Sequence, residues 1–349
     1  MGVVLSATRL HTFAREMLVA LGMPDDDAVI VADSFVWAGL RDAITHSIIR
    51  LEQIAKRSRG GGLSLKVDWT PVRASGGTTL LNANYAWGTI GATRGMRHAI
   101  EGARKYGVGM TSIRNCDNTG ALGMHTSHAI DARMIGIAIT NTTPFMPAWG
   151  GAKKLLGDQA FSIGAPTGRH HPVVLDESLG AEKLSVLREA AASHTPVAPN
   201  MLLNSKGEPT TDANDWLNGG MLLPAGGHRG AGIVLMWEVL TGVLAGGHML
   251  ADVLDMSRLD AKLGNSLFVM AIDPSKLMPL EEFLARMDRL VDEVHASPPM
   301  AGVERVRLPG ERRERIADER RATGIPIPDD HVARLRPLAD ELGVRFPEV

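Results

Sequence analysis

"VGMTSIRNCDNTGALGMHTSHAIDARMIGIAITNT", residues 108–142, carries the change of period that decides the fold. Residues 108–115 are dominated by branched and apolar side chains and read as a strand. Residues 120–134 place apolar side chains at helical spacing, and residues 135–142 return to a strand. A strand, a helix and a second strand on short connections mark an α/β layer.

The same reading extends outward. Upstream, residues 90–106 form a helix behind short alternating segments at 63–90. Downstream, "FSIGAP" (161–166), "HPVVLD" (171–176) and "SLFVMAID" (266–273) read as further strands. The first 60 residues are helical after a strand or coil at the N-terminus. Ser6 caps a helix running to about Leu21, and Gly22 and Pro24 stop it. Asp25–Asp27 suit the positive end of a second helix, and a third covers about 45–56. A helix is expected around 180–195, then an exposed loop at 196–214. "HRGAGIVLMWEVLTGVLAGG", 228–247, is the most hydrophobic helix, and Gly230, Gly232 and Gly242 predict close packing along it. An amphipathic helix at 279–297 and two charged helices at about 311–322 and 328–342 complete the chain, the last two split by "GIPIP".

Composition narrows the function. The 349 residues are 44% hydrophobic and 22% charged, enough to bury a large core. Aromatics are only 4%, so the core is aliphatic. A formal charge of −2 offers no electrostatic footprint for nucleic acid or an anionic membrane. The single cysteine, Cys116, suits a reducing compartment and reads as a buried spectator, since Asp117 beside it opposes a thiolate. No apolar run approaches the length of a membrane helix. A cytoplasmic location is expected.

The G-x-G-x-x-G dinucleotide fingerprint, the P-loop, H-E-x-x-H and G-x-S-x-G are all absent. His125 and His128 stand three apart and read as helix-surface residues; no metal is expected. "RDAITHSIIRLEQ", 41–53, sets Asp42, His46 and Arg50 four apart. On one helix they would share a face, either as a solvated stripe or as a working edge. "LLPAGGHRGAG", 222–232, is a glycine-rich opening to a helix, with His228 and Arg229 at its mouth. "RLPGERR", 307–313, is a turn leading into a charged helix. Both could receive anions at free N–H groups, or simply cap their helices.

These segments resemble the malate/L-lactate dehydrogenase family, which is unrelated to the dinucleotide-fingerprint enzymes. The likeness rests on "THSIIRL", "SIRNCDNTGALG", "ITNTTPFMPAWGG", "GEPTTDA", "LLPAGGHRGAG" and "VRLPGERRERIADERRATGIPI", and covers nearly the whole chain. It implies an α/β fold of the L-sulfolactate dehydrogenase type. There a mixed, largely antiparallel sheet holds the cofactor, and a helical domain is built from both chain ends. On that pattern residues 1–66 with 312–349 form the helical domain. Residues 67–311 form the NAD(P)-binding and substrate region, with an inserted segment at about 120–215. The family's members are typically homodimers.

The resemblance further implies an NAD(P)-dependent oxidoreductase, using NADPH or NADH on a small carboxylated substrate. His46 matches the family's catalytic histidine and Arg50 its carboxylate-binding arginine. Asp42 or Asp176 could orient the imidazole. The dinucleotide segments are Asp176, Glu177 and Ser178; His228, Arg229 and Gly230; and Pro309, Gly310 and Glu311. A protonated imidazole can neutralise charge developing on the oxygen or nitrogen as hydride reaches C2, and a guanidinium can grip the carboxylate.

Three departures concern the substrate. Asn118 stands where the family has a second histidine. Ile44 and Ser47 flank His46 in place of Asp and Gly. Asp158, Gln159 and Ala160 replace T-N-P. Asn118, Asp117, Thr119 and Asp158 are therefore expected to meet the substrate. The expected activity is reduction of a 2-oxo acid or cyclic 2-imino acid of specialised metabolism. The alternatives are a catalytically silent binding homologue and a non-redox enzyme on the same scaffold.

Overall fold

The computed structural model describes residues 3–347. The expectations for Met1, Gly2 and the last two residues lie outside that span. Val108–Cys116 and Ile135–Thr140 are strands, and Leu122–Asp131 is the helix between them. The two strands are not direct neighbours. Asn265–Ile272 lies between them and pairs antiparallel with both, Phe268 opposing Ser112 on one side and Ile139 on the other. The unit is a split strand–helix–strand whose central strand arrives from far down the chain.

The whole sheet has seven strands, in the order Arg73–Ser75, Thr78–Asn82, Val108–Cys116, Asn265–Ile272, Ile135–Thr140, Phe161–Ala165 and Val173–Glu177. Among the described residues of this sheet, only Thr78–Asn82 with Val108–Cys116 is parallel, and the helix Gly88–Tyr106 makes that crossover. The other pairs are antiparallel, so the sheet is mixed and largely antiparallel, as the resemblance implies. Met96, Ala99, Ile113, Leu267 and Val269 are buried between helix and sheet.

A second core joins the chain ends. Val3–Leu5 pairs antiparallel with Ile325–Ile327. Leu5, Leu10, Phe13, Phe35 and Leu51 pack with Ile325, Leu335 and Phe346. A third, smaller core gathers Met146, Leu156, Leu187, Leu202, Leu222 and Val234. At roughly 25 cal/mol per Å² of apolar surface removed from water, these clusters hold the chain together.

Two expectations fail locally. Residues 45–56 are not one helix. The chain leaves the helix Asp25–Leu40, turns at Asp42 with φ of 60°, and makes a short 3-10 turn at Ile44–His46 before the helix Arg50–Arg59 begins. The Ser47 hydroxyl donates to the Phe35 carbonyl at 2.8 Å, a side-chain bond that competes with helix continuation. Close packing also fails at Gly232, where an added Cβ would meet nothing within 4 Å. Gly232 lies on an open face of the helix that begins at His228, beside exposed Ile233, Leu235, Met236 and Val239.

Candidate active site

His46 sits at the end of the 3-10 turn, with Nδ1 sealed from solvent and without a hydrogen-bond partner. Burial, then the charges of Arg50 and Arg313, hold its pKa down at about 3. Arg50 opens the next helix. Its Nε donates to the Thr45 carbonyl at 2.6 Å and its Nη1 to Gln53. Burial and the neighbouring Arg188 bring the Arg50 guanidinium to about 10, still cationic at neutral pH. The expected column does not form. Asp42 is thrown outward by its left-handed backbone and bonds Arg320 at 2.6 Å.

Asp176, next to last in the edge strand Val173–Glu177, pairs with Arg313 Nη1 at 3.2 Å; burial raises its pKa against that charge. Neither carboxylate hydrogen-bonds the imidazole, so the role given to Asp42 and Asp176 as orienters is corrected: Arg313 takes Asp176, and Arg320 takes Asp42. Arg313 therefore acts on both Asp176 and His46. It lies in the first turn of the helix Glu311–Thr323.

A cleft of about 420 Å³ opens along this edge, lined by Trp37, Arg41, Asp176, Glu177, Lys183 and the turn Arg307–Gly310 with Arg312 and Arg313. Arg41 covers the Trp37 ring at 4.4 Å and pairs with Glu314 at 2.8 Å. Gly310 makes the turn possible: its φ is 84°, and a Cβ there would come 2.7 Å from the Val174 carbonyl. Sequence reading marked the segment 307–313 as a possible anion site and Pro309–Glu311 as its cofactor contacts, but gave no separate role to Arg312 or Arg313 and missed Trp37. The two arginines directly follow the marked turn, and a first-turn cation beside an expected phosphate site was the available signal. Trp37 comes from a distant helix and carried none.

The Glu311 carboxylate is not free to face a ligand. It accepts from the Leu308 N–H at 3.1 Å, from His295 at 2.9 Å and from Arg305 at 2.6 Å. It braces the turn that Gly310 forms. Ser178 hydrogen-bonds Asp158, which also accepts from Thr142 at 2.9 Å; burial raises the Asp158 pKa. Leu179 and Ala225 are joined by a backbone bond of 2.9 Å, which seats the 222–227 segment beside the end of the edge strand. Gly230 lets that segment close, since a Cβ would fall 1.8 Å from the Ala225 carbonyl. His228 packs edge-on to exposed Trp149, centroids 6.0 Å apart, and Arg229 follows in the first turn. The segments at 176–178 and 224–230 are thus brought together, and the edge strand also meets the turn at 309 through the Val174–Pro309 bond.

The second cluster of expected substrate residues is placed differently. Asp117 is fully buried in an ion pair with Arg57 at 2.7 Å, so it does not offer its carboxylate to a substrate. Thr119 is buried, and its carbonyl accepts from Thr89 at 3.0 Å and from His125 at 3.1 Å. Asn118 is half-buried; its Oδ1 accepts from the Gly120 N–H at 3.0 Å and its Nδ2 meets the Met256 sulfur at 3.1 Å. Gln159 is buried between the Thr142 N–H and Glu238. His125 is core, not surface, held neutral at about 3 by burial. Cys116 is buried, and burial followed by Asp117 pushes its thiol up.

The residues of the edge cleft suit a dinucleotide. The turn at Gly310 approaches the edge strand without a side chain, and guanidiniums and an ammonium line the walls.

Comparison with known proteins fits this geometry. The family model for malate/L-lactate dehydrogenase matches residues 5–336. A malate dehydrogenase of Pyrococcus abyssi is 32% identical over 347 residues, spanning 97% of this chain and 95% of that protein. An L-sulfolactate dehydrogenase of Methanothermobacter thermautotrophicus is 33% identical, spanning 95% of each. The solved sulfolactate dehydrogenase of Methanocaldococcus jannaschii superposes with a TM-score of 0.92 at 30% identity, over 98% of both chains. More distant relatives include a ureidoglycolate dehydrogenase (NAD(+)) of Escherichia coli and a Delta(1)-pyrroline-2-carboxylate reductase of Ancylobacter novellus, each 27% identical. The chain belongs to the malate/L-lactate dehydrogenase family of oxidoreductases, whose members act on 2-oxo and imino acids with a nicotinamide cofactor.

Proposed function

We propose that this protein reduces a small 2-oxo acid or cyclic 2-imino acid with NADPH or NADH. The observation that carries the reading is that Arg313, which lines a cation-rich cleft, also acts with Arg50 on the buried imidazole of His46. A bound nicotinamide supplies the hydride. Arg50 holds the substrate carboxylate and so fixes which face of C2 is presented. His46 delivers the proton that the oxygen or nitrogen needs as C2 is reduced. Arg313, Arg312, Arg307 and Lys183 receive the dinucleotide phosphates, with Asp176, Glu177 and Ser178 on one wall and Pro309 and Gly310 on the other. His228, Arg229 and Gly230 form the far end of the same groove. Asn118, which cannot exchange a proton at neutral pH, and Asp158 shape the substrate side. These are the positions at which this chain departs from its family, which supports a diverged substrate.

The assignment extends to the assembly. Residues 1–66 with 312–349 form the helical unit, and residues 67–311 the cofactor and substrate unit with its insertion at about 120–215. The enzyme works as a cytoplasmic homodimer. The exposed apolar face near His228 is the contact between copies, since it carries no charge where a monomer's surface needs one. Among the described residues no helix is long and apolar enough to cross a membrane.

The test is oxidation of NADPH and NADH over a panel of 2-oxo and cyclic 2-imino acids. Wild type turns over at least one compound, and His46→Gln loses about 10²–10⁴ in kcat. An unreactive wild type across the panel, or full activity in His46→Gln, overturns the reading.

A further inference from the structure

We propose that the mouth of the edge cleft receives the 2′-phosphate of adenosine on Arg312, Arg307 and Lys183, which makes NADPH the working cofactor. The inference deepens the reductase reading above and rests on it for the dinucleotide. The cleft of about 420 Å³ is lined by the cations Arg41, Lys183, Arg307, Arg312 and Arg313 and by the carboxylates Asp176, Glu177 and Glu314. Two pairs among them are closed: Arg41 holds Glu314 at 2.8 Å and Arg313 holds Asp176 at 3.2 Å. Among the described residues, neither the Arg312 guanidinium nor the Lys183 ammonium has a partner. Arg307 reaches only Glu304, outside the cleft lining, at 3.7 Å. Arg312 and Arg313 are consecutive in the first turn of the helix Glu311–Thr323, so their side chains leave it about 100° apart. The half-buried Arg313 meets Asp176, while Arg312, Arg307 and Lys183 stand exposed.

This distribution sorts the anions of the ligand. The diphosphate of a dinucleotide lies between its two nucleosides, with one charge on each phosphorus. The 2′-phosphate is a monoester at the outer end of the molecule and carries roughly −1.5 to −2 at neutral pH. Exposed, unspent cations at a cleft mouth match the outer, doubly charged group. NADH would present a ribose diol there instead. A diol donates to a carboxylate, whereas a phosphate accepts from a guanidinium. Asp176 and Glu314 are already spent on arginines, so Glu177 alone could receive the diol. The diol would leave three cations unanswered, and a 2′-phosphate answers them. Arg312 supplies a planar fork for two phosphate oxygens, and Lys183 and Arg307 add charge from the two flanking segments.

The experiment is calorimetric titration with adenosine 2′,5′-bisphosphate, AMP and ADP, beside turnover with NADPH and NADH. The bisphosphate is expected to bind about 10²-fold tighter than AMP or ADP, with kcat/KM favouring NADPH over NADH to a similar degree. Arg312→Gln loses a charge-assisted contact and lowers both preferences about tenfold or more, and Lys183→Gln lowers them in the same direction. Both side chains are exposed and unpaired, so neither variant uncovers a buried partner. Glu177→Gln removes the opposing charge and tightens the bisphosphate. AMP binding as tightly as the bisphosphate, ADP binding more tightly than it, or a preference that survives Arg312→Gln with Lys183→Gln overturns the proposal while leaving the reductase reading intact. Loss of AMP and NADH binding in Glu177→Gln would mark a diol site and overturns it equally. A protein that oxidises neither cofactor on any compound loses the reductase reading, and the nucleotide titrations then decide the 2′-phosphate site by themselves.

Discussion

Arg57 and Asp117 meet at 2.7 Å with neither side chain exposed. Arg57 also donates to the carbonyls of Arg258, Gly62 and Ala261, so one guanidinium ties the helix Arg50–Arg59 to the Asn118 loop and to the segment at 258–261. Removing one partner of such a pair leaves a buried charge unanswered, at a cost of about 3–5 kcal/mol. Arg57→Met is expected to lower stability by that amount in urea unfolding, and Arg57→Met with Asp117→Asn to recover part of it. Sequence reading took Asp117 for a substrate contact because its carboxylate sat beside Asn118. Its partner lies 60 positions away in the chain, and no local spacing reveals such a pair. The same applies to Asp42, whose i,i+4 relation to His46 depended on a helix that the turn at φ 60° abolishes.

At the scale of elements, the helix that begins at His228 shows what periodicity does and does not tell. Its apolar composition was legible as a buried helix. Only one stripe of it is buried here, through Val234 and the buried Glu238, while Ile233, Leu235, Met236 and Val239 face outward. An exposed face of this kind is what the proposed contact between copies uses, and composition alone does not distinguish it from core. Met236→Glu with Val239→Glu is expected to shift the proposed dimer to monomer in light scattering without unfolding it, since both positions stand open to solvent in the chain. A monomeric wild type would remove the premise. The strands and the helix between them were read with few errors, because alternation and helical spacing are properties of contiguous residues. The insertion of Asn265–Ile272 between two strands of the split unit was not, because it is a pairing of distant segments.

The whole molecule is closed by its ends. Leu5 opposes Ile325 in the antiparallel pair, and both are buried with Phe35 and Leu335. Truncating either side chain opens a cavity, and large-to-small changes of this kind cost about 2–5 kcal/mol. Leu5→Ala and Ile325→Ala are each expected to destabilise the fold in this range. The double variant should cost less than their sum, because the two share one site. Strict additivity would show that the ends fold independently.

What the chain settled unaided was its class of elements, the choice of His46, Arg50 and the glycine-rich turns as candidates, and kinship with a family of oxidoreductases. Those depend on residue type and short-range spacing, where hydrogen bonding and apolar period act locally. Tertiary packing alone decided which acids were spent on distant arginines, which apolar stripe stayed open, and that His46 stands among cations. Charge and burial at a point sum over every neighbour in space, and most of those neighbours are far away along the chain.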